Sequence, residues 1–303
     1  MSCEKKHDTI LQFGYTSAPM FLRYDLHAHS TASDGSLTPT ELVQRAHTLG
    51  VDVLALTDHD VTDGLAEAGR TAAELGLGFI PGIEISVTWS HQTIHIVGLG
   101  INASYAPLQE GLTKIREFRV WRGEEISRRL EKAGITGALE GAQQYSKGQI
   151  LSRTHFAHFL VEQGHAPDLR RVFKRFLVHN KPGHVPGKWA SLSETLSWIH
   201  GAGGIAVIAH PARYKLSATR LRQLFAEFNE LNGQAIEVVS GSHSPDDNRR
   251  MGELCQKMDF FASCGSDFHG PENPYFELGR IPALPEQVRP VWQLGNWPMT
   301  GQD

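Results

Sequence analysis

The sequence predicts an α/β fold of the parallel βα-barrel type, and three observations support that prediction. Short apolar runs rich in β-branched residues recur along the chain, as expected of strands buried on both faces. Helix-like segments lie between several of these runs, so strand and helix alternate. Metal-ligating residue types end the runs, and functional side chains of a barrel gather at the strand ends. The runs are FLRYDLHAH, VDVLALTDHD, LGFIPGIEIS, TIHIVGLG, GGIAVIAHP, AIEVVSGSH and FFASCGSDFH.

The helices between the strands carry their own start and stop signals. Thr38 is an N-cap candidate, and Pro39 suits the first helical position. Glu41 lies three residues after Thr38, as in a capping box, and Gly50 ends the segment. These signals predict a helix directly after the first strand. Two further helical segments are DGLAEAGRTAAELGLG and SLSETLSWIHGAGG, next to the second strand and the IAVIAHP strand.

The alternation stops after residue 100. Residues 101–189 read as helical, beginning with a segment rich in opposite charges four positions apart. Barrel-like strands resume near residue 204, so we interpret this region as an insertion that covers the strand-end face. The predicted organisation is a barrel formed by residues 1–100 and 190–303, interrupted by a mainly helical, substrate-covering subdomain of residues 101–189.

Charge and cysteine content narrow the function classes. The net charge is -4 and the isoelectric point is near 6.5, which argues against a broad electrostatic grip on nucleic acid. Cys3, Cys255 and Cys264 form no C-x-x-C pair and no complete disulfide set, which favours a reducing cytoplasm. The sequence has no signal-peptide pattern and no apolar run long enough to cross a membrane. We expect a cytoplasmic protein without a membrane partner.

Nine residues that follow the apolar runs form the candidate metal site. In YDLHAHSTASDG, His27 and His29 stand two apart, so both imidazoles of an extended segment point to one side. The full set mixes imidazoles with carboxylates, which suits Mn²⁺, Fe²⁺ or Zn²⁺ better than Ca²⁺. Nine ligands are too many for one ion, so we expect two or three divalent ions, Mn²⁺ first and Fe²⁺, Zn²⁺ or Mg²⁺ as alternatives. The set is His27, His29, Asp34, His59, Glu84, His95, His210, Asp267 and His269.

Charge balance favours an anionic substrate for such a site. Three divalent ions exceed the charge of three carboxylates by three, which suits a phosphate dianion and a hydroxide. Each residue alone also has a structural explanation, since His59 can belong to a turn capped by Asp58, His210 can end a strand, and Asp267 can cap a turn. Their joint occurrence at successive strand ends favours the metal centre.

The motifs DLHAHSTASDG, ALTDHD, PGIEIS, IHIVG, AHP and GSDFH resemble, in order, those of the PHP (polymerase and histidinol phosphatase) family. The resemblance runs from about residue 24 to residue 280. It implies a distorted (β/α)7 barrel with a trinuclear metal centre. All nine ligand positions of the family pattern are filled here, which implies a catalytic member.

Within the family, the stretches ALEGAQ, SRTHFAHFLVE and AHPARY are similar to the bacterial 3',5'-nucleoside bisphosphate phosphatase and RNase AM group. That resemblance implies removal of the 3'-phosphate from a 5'-phosphorylated nucleotide, or stepwise 5'-to-3' cleavage of short RNA. The expected partner is therefore a nucleotide 3',5'-bisphosphate or a 5'-phosphorylated RNA end. The sequence indicates no obligate protein partner.

Four residues are candidates for holding the 5'-phosphate, since Arg and Lys bind phosphate oxygens. They are Arg153, Thr154, Lys188 and Arg213. Arg213 is also a catalytic candidate, because it follows the ligand His210 by three residues and can stabilise charge that develops on the phosphoryl oxygens. Asp34, His59 or a water on the metal can protonate the leaving group, and the sequence does not choose among them. Phe156, Trp189 and Tyr214 are candidates for stacking on the base, although most of them are expected in the core.

Three alternative functions remain at this point. An amidohydrolase also begins with His-x-His at a barrel strand, but its later ligands commonly include a bridging lysine, which the motifs here lack. A histidinol-phosphate phosphatase has the same fold, and only the insertion and HPARY favour a nucleotide substrate over it. A non-catalytic metal-binding module is disfavoured by the complete ligand set.

Overall fold

A computed structural model of the chain describes residues 22–298. Its centre is one eight-stranded sheet in which the strands lie side by side in chain order. Leu26 N donates to Cys264 O at 3.0 Å and His29 N donates to Phe268 O at 2.9 Å, so the first strand also meets the seventh. The sheet therefore curls into a distorted barrel, as the family resemblance implied. The strands are β1 Tyr24–Asp25, β2 Val53–Leu56, β3 Gly78–Trp89, β4 Gln92–Leu99, β5 Ile205–Ile208, β6 Ala235–Ser240, β7 Phe261–Gly265 and β8 Arg289–Pro290.

Helices surround the sheet and fill the region between β4 and β5. The predicted capping box is present at the first helix, where Thr38 accepts from Glu41 N and the Glu41 carboxylate accepts from Thr38 N. The helices are α1 Pro39–Thr48, α2 Leu65–Leu75, α3 Ala106–Lys132, α4 Ala138–Tyr145, α5 Arg153–Glu162, α6 Leu169–Val172, α7 Leu192–Gly201, α8 Ala218–Glu230 and α9 Pro245–Lys257. A π-helical turn, Phe173–Leu177, continues α6, and short 3-10 turns cover Pro211–Arg213 and Val291–Gln293.

The expectation of parallel strands throughout was wrong at β4. This strand runs antiparallel to both β3 and β5, whereas the other pairs are parallel. Ser90 and His91 connect β3 to β4 with φ of 45° and 64°, the left-handed conformation that a tight two-residue hairpin turn needs. No helix separates these two strands, so they form a hairpin and not a βα unit.

The hairpin also explains why two predicted ligands lie within strands and not at strand ends. Pro81 is the last residue of β3 in register with β2, and β3 continues past it to Trp89. Glu84 therefore lies within β3, and His95 lies within β4 opposite Ser86. Both side chains enter the site from the part of the hairpin that extends beyond the shorter neighbouring strand.

Two apolar clusters hold the barrel together. The larger packs helices against the sheet and includes Leu42 of α1, Phe225 of α8 and Met251 of α9, all fully buried. The smaller lines the barrel interior, where side chains of successive strands meet. It contains Leu26, Ala55, Ile80, Val97, Leu99, Ile205, Val207, Ala209, Ala235 and Val291. The interior is thus filled with side chains, which leaves one rim of the barrel for the polar residues.

A third apolar cluster belongs to the region between β4 and β5. Leu130, Phe156 and Leu177, from α3, α5 and the π-helical turn, are fully buried in it. We call residues 101–189 the helical insert. Its division from the barrel at residues 101 and 189 stays a prediction, but this segment has an apolar core of its own.

The structure also describes two of the three cysteines and the apolar character of the helices. Cys255 and Cys264 are buried free thiols, and Cys3 lies outside the described residues. Within residues 22–298, no helix combines the length and the apolar character needed to cross a bilayer.

Candidate metal centre

The structure brings all nine predicted metal ligands together at one rim of the barrel, and we call them the ligand cluster. Glu84 lies at its centre, with no exposed side-chain surface. Its carboxylate oxygens lie 3.4 Å from His27 Nε2, 3.5 Å from His29 Nε2, 2.7 Å from His59 Nδ1, 2.9 Å from His95 Nδ1 and 3.0 Å from His210 Nε2. This carboxylate and the five imidazoles around it would hold divalent ions together.

Two aspartates complete the ligand cluster on its other side. Asp34 Oδ1 lies 3.7 Å from His59 Nε2 and 3.4 Å from His269 Nε2. Asp267 Oδ1 lies 3.4 Å from His29 Nε2 and 3.7 Å from His269 Nδ1. The described residues form three groups able to hold an ion, with all ligand atoms of a group within 4.8 Å of one another. These groups are His29 with Asp34, His59 and His269, then His27 with His29 and Glu84, and finally His59 with Glu84 and His95.

Hydrogen bonds within the ligand cluster leave some of its buried polar atoms without a partner, and divalent cations would satisfy these atoms better. Among the described residues, buried atoms without a hydrogen-bond partner include His29 Nδ1, Asp34 Oδ1 and His210 Nδ1. The Nε2 atoms of His27 and His29 lie 3.2 Å apart, although at most one of two neutral rings can donate across such a gap. Unsatisfied buried polar atoms are costly, and ions at their centre satisfy nitrogen and carboxylate ligands together.

Electrostatics within the cluster keep its carboxylates ionised. Burial alone raises the pKa of Glu84, but the nearby imidazoles of His95, His59 and His27 together hold that pKa well below its ordinary value. Burial also raises the pKa values of Asp34 and Asp267, but nearby imidazoles hold both values well below the ordinary range. An ionised carboxylate is the form that binds a metal.

His29 shows the opposite behaviour, which also suits a ligand. Burial first, and then the neighbouring rings of His269 and His59, lower the pKa of His29 to about 3. Its imidazole is therefore neutral at neutral pH, as coordination requires.

Local structure holds the ligands in place. The Asp58 carboxylate accepts from Ser30 N at 2.8 Å, from Ser30 Oγ at 2.6 Å and from Ser33 Oγ at 2.6 Å. Asp58 therefore fixes the turn that carries Asp34. His210 and Asp267 have φ of 31° and 54°, a conformation that is unfavourable for residues other than glycine and is concentrated at functional sites.

Glu237 orients two ligands, and the sequence reasoning missed it. Its Oε1 lies 2.5 Å from His27 Nδ1, and its Oε2 accepts from His210 N at 2.5 Å. A carboxylate on the outer nitrogen of a metal-binding imidazole fixes the tautomer and the ring orientation. The signal was present, because Glu237 is the one charged residue in the buried strand β6, AIEVVS.

The ligand cluster forms one side of a cavity, and arginines form the other. Among the residues that line it, Arg119 and Arg122 come from α3, Arg153 from the start of α5, and Arg213 from the turn after His210. The remaining lining residues include Ser86, Thr93, Ser152, Thr154, Phe173 and Trp189. We call Arg119, Arg122 and Arg153 the arginine wall.

Trp189 joins two members of this wall. The guanidinium carbons of Arg119 and Arg122 lie 5.0 Å and 5.2 Å from the centre of its ring. The indole nitrogen donates to Thr93 Oγ1 at 3.0 Å, which holds the ring in position. The two guanidinium groups are thus fixed by the ring before any substrate enters.

The members of the arginine wall differ in their partners. Arg119 Nε donates to Asp60 Oδ2 at 2.8 Å, and its Nη2 reaches Ser86 Oγ at 3.0 Å. Among the described residues, Arg122 donates only to the backbone oxygen of Val185, at 3.0 and 3.1 Å. Burial, with Arg153 and Arg119 nearby, lowers the pKa of Arg122 to about 9. Buried charge of one sign with this little compensation marks a place for an anion.

The predicted substrate residues have different locations. Arg153 and Thr154 line the cavity at the amino end of α5, where backbone N–H groups also favour an anion. Arg213 lines it too, and its Nη1 donates to Asp267 Oδ2 at 2.6 Å. Lys188 is not among the lining residues, because its side chain is exposed while the neighbouring Trp189 faces inward.

Of the three candidate stacking residues, only Trp189 lines the cavity. Phe156 is fully buried in the core of the helical insert. Tyr214 is held by the backbone, since its hydroxyl donates to Ala209 O at 2.9 Å and accepts from His95 N at 2.8 Å. Phe173, which the sequence reasoning did not consider, is the second aromatic residue of the cavity lining.

Arg119 and Arg122 were also missed, although the helix pattern contains them. On α3 the buried positions follow one another at steps of three or four residues, from Leu112 through Ile115, Arg119 and Arg122 to Ile126. Arginine at positions where the pattern calls for an apolar residue is a sign of a buried functional charge. The many charge pairs of this helix hid that sign.

Comparisons with known proteins agree with this site. The sequence profile of the PHP domain matches residues 25–200. The 3',5'-nucleoside bisphosphate phosphatase of Chromobacterium violaceum is 47% identical over 270 residues, which cover 89% of this chain and 95% of that protein. The 5'-3' exoribonuclease Rnm of Escherichia coli strain K12 is 47% identical over 277 residues, covering 91% and 94%. A solved structure from C. violaceum, described as an amidohydrolase with bound sulfate and no metal, is similar with a TM-score of 0.86 and 46% identity, covering 89% and 94%.

Proposed function

The chain belongs to the PHP domain family, and we propose that it hydrolyses the 3' phosphoester of 5'-phosphorylated nucleotides. On a nucleotide 3',5'-bisphosphate this reaction is that of a 3'-phosphatase, and on short RNA it is that of a 5'-to-3' exoribonuclease. Both activities break the bond at the 3' oxygen of a 5'-phosphorylated nucleoside. The observation that carries the proposal is one cavity with a metal-ligand cluster on one side and an arginine wall on the other.

The ligand cluster defines the reacting end of the cavity. Its carboxylates and imidazoles would hold divalent ions, which would supply a hydroxide nucleophile near neutral pH and neutralise charge on phosphoryl oxygens. Two or three ions agree with the three ligand groups, and we propose Mn²⁺ as the native metal. Arg213 contacts Asp267 at the edge of the cluster, so its guanidinium is placed to contact the oxygens of the phosphoryl group that is cleaved.

The arginine wall defines the recognition end. We assign the 5'-phosphate to Arg122, Arg153 and Thr154, because the two guanidinium groups have no carboxylate partner in the described part of the chain and Thr154 lies at a helix amino end. Arg122 thus takes the role that the sequence reasoning gave to Lys188. Trp189 and Phe173 provide aromatic surface for a base without reading its identity.

The alternative functions fit this cavity less well. No lysine is found among the described residues that line it, whereas the ligands of an amidohydrolase commonly include a bridging lysine. A histidinol phosphate carries one phosphate, which leaves the arginine wall without an anion. A cytoplasmic location remains part of the proposal, supported by the free thiols of Cys255 and Cys264.

The test is Mn²⁺-dependent hydrolysis of a 5'-phosphorylated tetraribonucleotide beside adenosine 3',5'-bisphosphate, with 5'-hydroxyl versions of both and histidinol phosphate as controls. We expect hydrolysis of the 5'-phosphorylated compounds to exceed that of the controls. Trimming of the tetranucleotide from its 5' end identifies an exoribonuclease, whereas reaction of the bisphosphate alone identifies a nucleotide phosphatase. Faster hydrolysis of histidinol phosphate than of either nucleotide would contradict the proposal.

A further inference from the structure

The segment from residue 164 to residue 188 of the helical insert concentrates positive charge in an otherwise acidic protein. It contains six Lys and Arg residues and one carboxylate, Asp168, whereas the whole chain has a net charge of -4. All six cationic side chains are exposed to solvent. We call them the basic surface: Arg170, Arg171, Lys174, Arg175, Lys181 and Lys188.

Little in the described part of the protein neutralises the basic surface. Among residues 22–298, Asp168 is the only carboxylate within ion-pairing distance of any of the six, at 3.6 Å from Arg171 with both side chains largely exposed. Arg175 donates to His165 O at 3.0 Å and packs over the ring of Phe176. The remaining cations have no carboxylate partner, and exposed pairs such as the one with Asp168 are weak.

The basic surface is continuous with the catalytic cavity. Phe173 lines the cavity, and the next two residues of the same π-helical turn, Lys174 and Arg175, are exposed. Trp189 lines the cavity beside the exposed Lys188. At two places the chain therefore passes directly from an aromatic residue inside to a cation outside. Arg171, Lys174, Arg175 and Lys181 line a shallow depression of about 580 Å³ on that outer face.

We propose that the basic surface binds the phosphodiester backbone of an RNA chain whose 5' end occupies the cavity. This inference rests on the proposed function, which places the 5'-terminal nucleotide against the arginine wall. An RNA longer than that nucleotide must leave the cavity past its rim, and cations there without carboxylate partners attract its phosphates. A nucleotide bisphosphate ends inside the cavity and does not reach them. The basic surface thus favours RNA over the bisphosphate.

The test replaces three exposed cations of the basic surface, none of which stacks on a ring of the described residues. The variant Arg171→Gln, Lys174→Gln, Lys181→Gln removes three charges and leaves Arg175 on Phe176. For a 5'-phosphorylated RNA of about 20 nucleotides, we expect kcat/KM to fall about tenfold. The slope of log kcat/KM against log salt concentration should become less negative by about 2. Hydrolysis of adenosine 3',5'-bisphosphate should remain within about twofold of wild type, because no phosphate beyond the cavity is present.

A matched control removes three exposed cations from the barrel. Arg222→Gln, Arg250→Gln, Lys257→Gln changes the net charge equally, and Arg250 pairs with Asp247 at 3.5 Å much as Arg171 pairs with Asp168. We expect this control to bind and cleave RNA as wild type does. Equal losses in both variants, or no loss in the first, would overturn the inference, and so would a parallel loss on the bisphosphate.

Binding without turnover separates this inference from the proposed function. With EDTA present, fluorescence anisotropy of labelled 5'-phosphorylated RNA should give a Kd about tenfold higher for the first variant than for wild type and the control. If wild type cleaves neither substrate, the proposed function fails. The Kd difference then still shows whether the basic surface binds RNA. Unchanged Kd values would overturn the inference even if both substrates are cleaved.

Discussion

The two sides of the cavity handle charge in opposite ways. In the ligand cluster, carboxylates and imidazoles face one another, as Glu84 does among five rings. In the arginine wall, Arg119 pairs with Asp60, whereas Arg122 and Arg153 have no carboxylate partner within residues 22–298. The first side is arranged to hold cations and the second to receive an anion.

The origin of the two sides differs as well. The ligand cluster is carried by the barrel rim, where sheet hydrogen bonds fix the backbone. The arginine wall is carried by α3 and α5 of the helical insert, which have an apolar core of their own. If the proposed function is correct, chemistry and substrate choice reside in different parts of the fold. Substitutions on the barrel side should affect every substrate, and substitutions on the insert side should affect only those with a 5'-phosphate.

The largest effect is expected from loss of a metal ligand. Asp34→Ala or His210→Ala should lower kcat/KM about 10³-fold or more for every substrate. The reason is that a bound metal ion stabilises the transition state by several kcal/mol. Metal content and hydrolysis rates of the purified variants check this, with circular dichroism as the folding control. A folded variant that keeps full activity would remove that residue from the ligand cluster.

Arg213→Ala tests on which side of the cavity this arginine acts. Its contact with Asp267 places it with the ligand cluster, so we expect kcat/KM to fall about 10²-fold for 5'-phosphorylated and 5'-hydroxyl substrates alike. Rates on a matched pair of oligonucleotides measure this. A loss confined to the 5'-phosphorylated substrate would move Arg213 to the recognition side, as the sequence reasoning first suggested.

Arg122→Met should separate the two sides directly. A charge-assisted hydrogen bond contributes about 1.5–3 kcal/mol, so kcat/KM should fall about 30-fold for 5'-phosphorylated substrates and hardly at all for 5'-hydroxyl ones. Arg116→Met is the matched control, because Arg116 lies on the same helix but does not line the cavity. If both substrates lose activity equally, Arg122 does not recognise the 5'-phosphate.

Glu237→Gln should give the smallest change, and only on the metal side. The amide keeps the size of the side chain but weakens its hold on His27 Nδ1, so we expect about tenfold weaker Mn²⁺ affinity. Activity measured against Mn²⁺ concentration should recover at high metal while the preference for a 5'-phosphate stays unchanged. Activity that does not recover with metal would indicate a different role for Glu237.

The two sides also differ in how far the sequence predicts them. The ligand cluster lies in short motifs of diagnostic residue types, so His27, His29 and Asp34 can be found by local reasoning alone. What local reasoning missed was the β3–β4 hairpin, because its turn residues Ser90 and His91 lack the glycine or asparagine that usually marks such a turn.

The arginine wall depends on contacts distant in sequence. The buried stripe of α3 includes Arg119 and Arg122, but only the folded chain decides that this stripe packs across the rim of the barrel. The location of Lys188 has the same origin, since only the folded chain decides which of Lys188 and Trp189 faces the cavity. Sequence reasoning therefore located the ligand cluster better than the residues that line the opposite side of the cavity.

The ion pair between Asp60 and Arg119 sets a rule for protein engineering. Asp60 directly follows the ligand His59 and accepts from Arg119, so the helical insert is attached electrostatically to the loop that bears a metal ligand. A helical insert grafted from this chain onto another barrel of the family would need a carboxylate at the position of Asp60. Without it, the transplanted Arg119 would be a buried charge with no counterion, and the chimaera would lose stability at the junction where its new specificity has to be built.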